Sequence, residues 1–392
     1  MSITVFSFNP NNYSGTDSEC FEQALADLKA AGGGTLHVSA RTAERKDHRN
    51  YWLLDRALLL ESNTSLIIDN CTLKLSDQCR DNFIRSGNCG LGITNVETMT
   101  DIHILGIGNA KLIGADHPRA TGDSGKQLGE RTYGTDAGKT DMHPKGNWQN
   151  IGVLMAYVRN FSVRNLEISD SHCWAMSFEH CSNGILSNLR FSSTSFKMID
   201  GKEEKILNQD GIDLRQGCHD IVIDTVMGHT GDDLIALTAI GNHTPAGSID
   251  STMVSGTLPT GDDDIYNVTI RNVIGCSAGC CNIVRFLNNF GCRIHHIILD
   301  GLLDISPENH RSSTTIRIGD SNPRWGGVTP LGDTFGFLIS NVQCNSNRSI
   351  FIPGSLADSI ISNVMNHNPD CAAIIFDSGR ENTRNIVLNA VV

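Results

Sequence analysis

Two short acidic segments stand out: Asn208-Gln209-Asp210-Gly211 and, shortly after it, Gly231-Asp232-Asp233. Their carboxylates are 22 and 23 residues apart. On a chain that winds one strand per coil, residues one coil apart lie on neighbouring strands about 4.8 Å from each other. Asp210 would then stand beside the Asp232/Asp233 pair. Like charges at that distance resist ionising together, which leaves a proton donor next to charged acceptors. The chemistry such a cluster suits is general acid/base catalysis.

The elements that would position these acids are visible as a repeat. The pattern apolar, any, apolar, any, Asn or Asp recurs with its polar residue at Asn165, Asn188, Asp224, Asn272, Asp300, Asn341, Asn363 and Asn389, as in Val268-Thr269-Ile270-Arg271-Asn272-Val273. The shortest separations are 22, 23 and 26 residues, and the longer ones, 36 and 48, contain polar or Gly-rich excess. Period-2 alternation rich in Val, Ile and Thr reads as strands, and helical periodicity is nearly absent. A β-propeller or sandwich is the competing architecture, but a propeller blade usually needs a period of about 40 or more residues. The fold expected is all-β: a right-handed parallel β-helix, one chain winding as a solenoid whose stacked Asn residues form a ladder at a turn.

One helix is expected near the N-terminus. Ser18 is the expected cap, Phe21, Ala24, Leu25 and Leu28 form the apolar stripe, and Gly32-Gly33-Gly34 ends it. Such a helix would plug the open end of the solenoid. No similar plug is visible at the C-terminus, where Asn385-Ile386-Val387-Leu388 still reads as strand, an end that a subunit contact could cover. Because a solenoid grows in one dimension, the 392 residues are read as one domain. Residues 1–75 are assigned to the N-terminal cap and first coils, and residues 117–147 and 239–263 to inserted loops of the kind that carry function.

A net charge of -12 argues against nucleic acid and anionic membrane as partners. Local basic residues remain near the acids: Lys197, Lys202 and Lys205 before them, Arg285, Arg317 and Arg324 after. The N-terminal residues show no basic stretch followed by an apolar run, and no 18-residue apolar span exists, so a soluble, cytoplasmic protein is expected. Thirteen scattered cysteines fit reduced core thiols better than a disulfide framework.

Residues 171 to 240 resemble the polygalacturonases, glycoside hydrolase family 28. Ser171-His172-Cys173-Trp174 is similar to that family's Ser-Pro-x-Trp, Asn208-Gln209-Asp210-Gly211 to its Asn-Thr-Asp-Gly, and Thr230-Gly231-Asp232-Asp233 to its Thr-Gly-Asp-Asp. The stretch from Phe21 to Leu75 resembles the N-terminal module of such enzymes. The resemblance implies an inverting hydrolase in which Asp232 protonates the leaving glycosidic oxygen while Asp210 and Asp233 activate water. Acid and base would stand about 6.5–9.5 Å apart.

The sequence departs from the family downstream. Where the family's Gly-His-Gly is expected, the chain has Gly279-Cys280-Cys281, without the His. Where Arg-Ile-Lys is expected, Arg317-Ile318-Gly319 keeps the Arg and lacks the Lys, and Arg285 is a competing match one coil earlier. One cation for a substrate carboxylate is thus expected to be missing. Arg317, Arg285, Asn208 and Trp174 are the candidate substrate-binding residues. No cofactor and no metal are expected; the partner expected is an oligosaccharide or polysaccharide.

Weaker signals are read conservatively. Cys276, Cys280 and Cys281 lack a second pair at zinc spacing. His295 and His296, as strand neighbours, are expected on opposite faces. Trp174 and Trp325 could stack on sugars, and Asp262-Asp263-Asp264 reads as a solvated turn rather than a calcium site. Two other functions share this fold class: a polysaccharide lyase or intramolecular glycosyl transferase, and a non-catalytic glycan-binding β-helix.

Overall fold

The computed structural model describes residues 6–42, 47–79, 81–89, 93, 96–118, 150–240, 263–289 and 291–392. Most of the two stretches expected as inserted loops, 117–147 and 239–263, lies outside the described residues, as does the side chain of Arg324.

Short apolar-alternating segments form two long sheets. One has 15 strands and the other 10, and within each the order along the sheet follows the chain, so each strand pairs with the one a coil before and a coil after. The ladders within these two sheets are parallel, and the only antiparallel pair among the described residues is the hairpin of Phe196–Ile199 with Lys202–Lys205. This is a parallel β-helix, as the repeat predicts. Inward side chains from both sheets merge into one continuous core, with Leu66, Ile104, Val163, Leu186, Ile223 and Ile270 stacked in register along it. Nine of the thirteen cysteines are buried and none is paired, which places them as core thiols.

The turn column differs by one residue from the sequence reading. Asn165, Asn188, Asn272, Asn341 and Asn363 share one register position and a left-handed backbone, with φ between 51° and 57°. Asp224, Asp300 and Asn389 stand one position earlier, and Thr225, Gly301 and Ala390 take the left-handed place. The two Asp side chains still join the ladder: Asn272 Nδ2 donates to Asp224 at 2.9 Å and Asn341 Nδ2 to Asp300 at 2.7 Å, alongside Asn188 to Asn165 at 3.0 Å. An Asp reaching across from the preceding position satisfies the same amide as an Asn in the column would.

The single α-helix among the described residues, Asp17–Ala30, buries Phe21, Ala24 and Leu28. Its cap is Thr16, in a reciprocal box with Glu19, and not Ser18. Ser18 lies inside the first turn because its hydroxyl is used elsewhere, accepting from the Asp55 N–H at 2.8 Å. Phe21 meets Trp52 edge-on at 5.2 Å, so the helix closes the first coils. The opposite end is bare: Val387 and Leu388 on the last strand, Thr383–Val391, are about half exposed. Among the described residues no helix is long and apolar enough to cross a membrane.

Candidate active site

The acids sit where two adjacent strands of the 10-stranded sheet begin. Asp210 precedes Ile212–Arg215 by two residues and Asp233 precedes Ile235–Ile240 by two, and Ile212 pairs with Ile235. Asp210 and Asp233 therefore share a register position, and the Gly211 N–H donates to the Asp233 carbonyl at 2.9 Å. The two acid-bearing turns are bonded directly: the Gly231 and Asp232 N–H groups both donate to the Gln209 carbonyl, at 3.0 and 3.1 Å. Gln209 is itself fixed, its amide donating to the Ser171 carbonyl and accepting from the Ser195 N–H. Position 231 must be glycine, since a Cβ there would stand 2.5 Å from Gln209 Oε1 and 2.7 Å from Ser195 N.

One carboxylate oxygen from each of Asp210, Asp232 and Asp233 lies within 4.8 Å of the other two. The clustering inferred from spacing is present, but the wide gap of about 6.5–9.5 Å expected between acid and base is not found at these atoms. The reason is register, because two residues at the same position on neighbouring strands are held one strand spacing apart.

The three environments differ. Asp233 is buried and accepts from both the backbone and side-chain nitrogens of Asn282 at 2.8 Å, with Arg285 at 3.6 Å. Asp210 is buried with Oδ1 unpartnered, and its pKa is pushed well above the usual carboxylate range, first by burial and then by the charges of Asp232, Asp213 and Asp233. Asp232 is the least buried of the three and is hydrogen-bonded by the Cys281 thiol. Burial, and then Asp232 and Asp233, drive that thiol far above its ordinary pKa, so it stays a neutral S–H.

Sequence reasoning missed four members of this site. Cys281 and Asn282, adjacent in the chain, contact Asp232 and Asp233 respectively, so the segment predicted to lack the family's His does touch the acid pair. Asp213 adds a buried carboxyl beside the triad, its pKa raised by burial against the opposing pull of Arg215. Asp320 is the fourth. A charged residue in a short apolar strand, as in Ile212-Asp213-Leu214-Arg215, is the signal that would have found Asp213: Ile212 and Leu214 enter the core, and the residues between them must point outward.

Arg285 and Arg317 are not alternatives. They pair in register on adjacent strands, one row over from the acids, and share Asp320, whose carboxylate accepts from Arg285 at 3.3 Å and from Arg317 at 2.9 Å. A second cation thus stands beside Arg317, on the preceding coil. Trp325 lies under the Arg285 guanidinium at 5.5 Å and Phe351 under that of Arg317 at 5.4 Å. These residues line a cavity of about 890 Å³ that begins at Asn282.

Trp174 stands on the other side of the acids and is 5 % exposed. It packs with Ile151, Leu154 and Cys173, and the Arg215 guanidinium covers its ring at 5.1 Å, so it is not an open platform for a sugar. Asn208 is also buried, in a left-handed conformation, with its amide nitrogen unpartnered.

Among the described residues, the acid triad is the one group whose donor atoms are close enough to hold a metal ion. The cysteine segment 276–281 forms no such group. His295 and His296 do not point apart as predicted: His296 takes a left-handed φ of 54°, which turns the two rings together with their Nδ1 atoms 2.6 Å apart. Asp262 lies outside the described residues, whereas Asp264 binds Arg293 through its backbone and guanidinium.

Comparison with known proteins gives a consistent result. A family model, glycosyl hydrolases family 28, matches residues 129–253, about a third of the chain. That segment contains all three aspartates and stops before Cys281, Arg285 and Arg317. No curated protein sequence matches. Among solved structures, a polygalacturonase from Erwinia carotovora is 15 % identical with a TM-score of 0.55, over 98 % of this chain and 93 % of that one. An exopolygalacturonase from Thermotoga maritima is 14 % identical at 0.54, over 99 % and 93 %. The tailspike of E. coli bacteriophage HK620, solved with a pentasaccharide, is 12 % identical at 0.54, over 98 % of this chain and 63 % of that one. At these identities the solved structures establish the fold alone, a parallel β-helix.

Proposed function

We propose that the protein is a glycoside hydrolase acting on a pectin-like or related glycan or oligosaccharide. The observation that carries this is the unequal environment of three carboxylates sharing one site. Asp233 is clamped by the Asn282 nitrogens, with the Arg285 guanidinium beside it. A proton stays in the cluster, because like charges so close do not all ionise and burial with the charges of Asp232, Asp213 and Asp233 pushes Asp210 well above the usual carboxylate range. With that proton on Asp232, the least buried of the three, the acid can protonate the leaving oxygen while Asp233 and Asp210 take a proton from water. The C–O bond to the leaving sugar breaks, and the water oxygen bonds to the anomeric carbon. The neutral Cys281 thiol beside Asp232 adds a donor without adding charge.

The substrate side favours a mixed or weakly acidic glycan. Arg285 and Arg317 both face Asp320, and Arg285 also faces Asp233, so the two cations already stand against two carboxylates. Two guanidiniums can form bidentate contacts with a carboxylate, or donate to hydroxyls. Polygalacturonate is expected to be a poorer substrate than a less acidic glycan or a short oligosaccharide. Arg317→Ala should raise KM about tenfold with kcat little changed, the scale of one lost charge-assisted contact. The likeness to a tailspike solved with a pentasaccharide supports a glycan as the partner.

The test is a screen of defined neutral and uronic oligosaccharides, with products followed by anomer-resolved NMR. Saturated products with a new reducing end are expected, and the first-formed anomer shows whether the close acids invert or retain. An unsaturated product would instead identify a lyase, and no cleavage of any glycan would leave only a binding role.

A further inference from the structure

The surface on either side of the acids is not equivalent. In the 10-stranded sheet one outward row runs in register through Leu154, Ser177, Asp213, Ala236, Arg285, Arg317 and Phe351. Toward the C-terminus this row lies in the cavity, which spans from the strand Asn282–Asn289 to the strand Ile374–Phe376. Four strands, or three spacings, make about 14 Å of groove. Toward the N-terminus the row closes at once. Ser177 and Leu154 are 0 % exposed, and Trp174, in register one coil before Asp210, is packed into its own apolar cluster with Ile151, Leu154 and Cys173. A glycan lying along the groove meets a wall one coil past the acids.

Just inside that wall are polar atoms with nothing to bond. Asn208 Nδ2, Asp210 Oδ1 and Asp213 Oδ2 are buried without a hydrogen-bond partner. Buried polar atoms are nearly always satisfied, and a group left open at a functional site calls for a ligand or water. The hydroxyls of one sugar unit supply donors and acceptors of the right kind.

We infer that the enzyme works from a chain end: the terminal sugar is held at the acid triad, against the Trp174 wall, by Asn208 and Asp213, while the rest of the glycan lies over the arginine-aromatic groove toward Arg348. The inference rests on the hydrolase reading above and deepens it. The groove beyond Arg317 offers Arg348, whose guanidinium sits over Phe351 at 4.5 Å, as a contact for a unit remote from the cleaved bond. The cavity lining holds three arginines and three aspartates, so it suits units of mixed rather than uniformly negative character.

The test uses the full protein and oligosaccharides of graded length, labelled at one end or the other, with products resolved from the earliest time points. One product size released from one end, whatever the chain length, is expected. kcat/KM should rise with length until the groove is filled, and Arg348→Ala should reduce it several-fold more for long substrates than for the shortest. Early mixtures of internal fragments, or cleavage of a glycan blocked at both ends, would overturn chain-end action while leaving hydrolysis intact. No cleavage of any glycan would overturn both.

Discussion

The two tryptophans that flank the acid triad are built from the same parts and do opposite things. Trp174 lies under Arg215 at 5.1 Å and Trp325 under Arg285 at 5.5 Å, so each ring carries a guanidinium on one face. Trp174 is buried among Ile151, Leu154 and Cys173, whereas Trp325 is partly open and lines the cavity. The lesson is that aromatic and cationic residue types near an acid cluster do not by themselves mark a sugar platform. What lies on the other face of the ring decides: apolar packing makes a wall, and open space makes a subsite.

The largest effect expected from disturbing this contrast is at the wall. Trp174→Ala removes a large buried side chain from a small cluster and should cost about 3–5 kcal/mol, read as a lowered Tm. Any folded fraction should begin to yield internal fragments from long glycans. A variant as stable as the parent would show that the wall is not a packed element.

A smaller effect, and one with a pH signature, is expected at Asp213, just inside the wall. Burial raises its folded pKa above the unfolded value of about 3.9. The folded state therefore binds more protons, and the stability from this group is complete below about 3.9 and is lost as pH rises through the raised folded value. Asn at 213 cannot ionise. The Tm of Asp213→Asn minus that of the parent should grow between acidic and neutral pH, and a difference constant with pH would contradict the burial argument. On the open side, Trp325→Ala should change stability by less than about 1 kcal/mol but raise KM for longer oligosaccharides, a split between Tm and kinetics opposite to that at Trp174.

Much of this was legible in the sequence. Period-2 alternation with a recurring Asn gave the β-helix, and 23-residue spacing put Asp210 and Asp233 in register because no insertion separates them. The same arithmetic failed where insertions intervene. Asn282 occupies the next position in register after Asp233, yet it is 49 residues on, so spacing alone did not show that Cys281 and Asn282 would reach the acids. Nor did it show that Arg285 and Arg317 stand side by side. Left-handed residues defeated strand alternation too: at His296 one positive φ brings two rings together that a regular strand would separate. Asp224, Asp300 and Asn389 appeared aligned with the ladder because each follows three consecutive apolar residues, such as Ile221-Val222-Ile223, which do not mark the inward positions as an alternating segment does.

The central claim is that the acid triad performs hydrolysis and does not merely bind. It is tested most directly by comparing the steady-state rates of Asp232→Asn and Asp233→Asn with the parent on the best oligosaccharide, each variant shown to be folded by its Tm. A loss of about 10²- to 10⁴-fold in kcat for each is expected of positioned acid and base groups. Rates within a few-fold of the parent for either variant would contradict it.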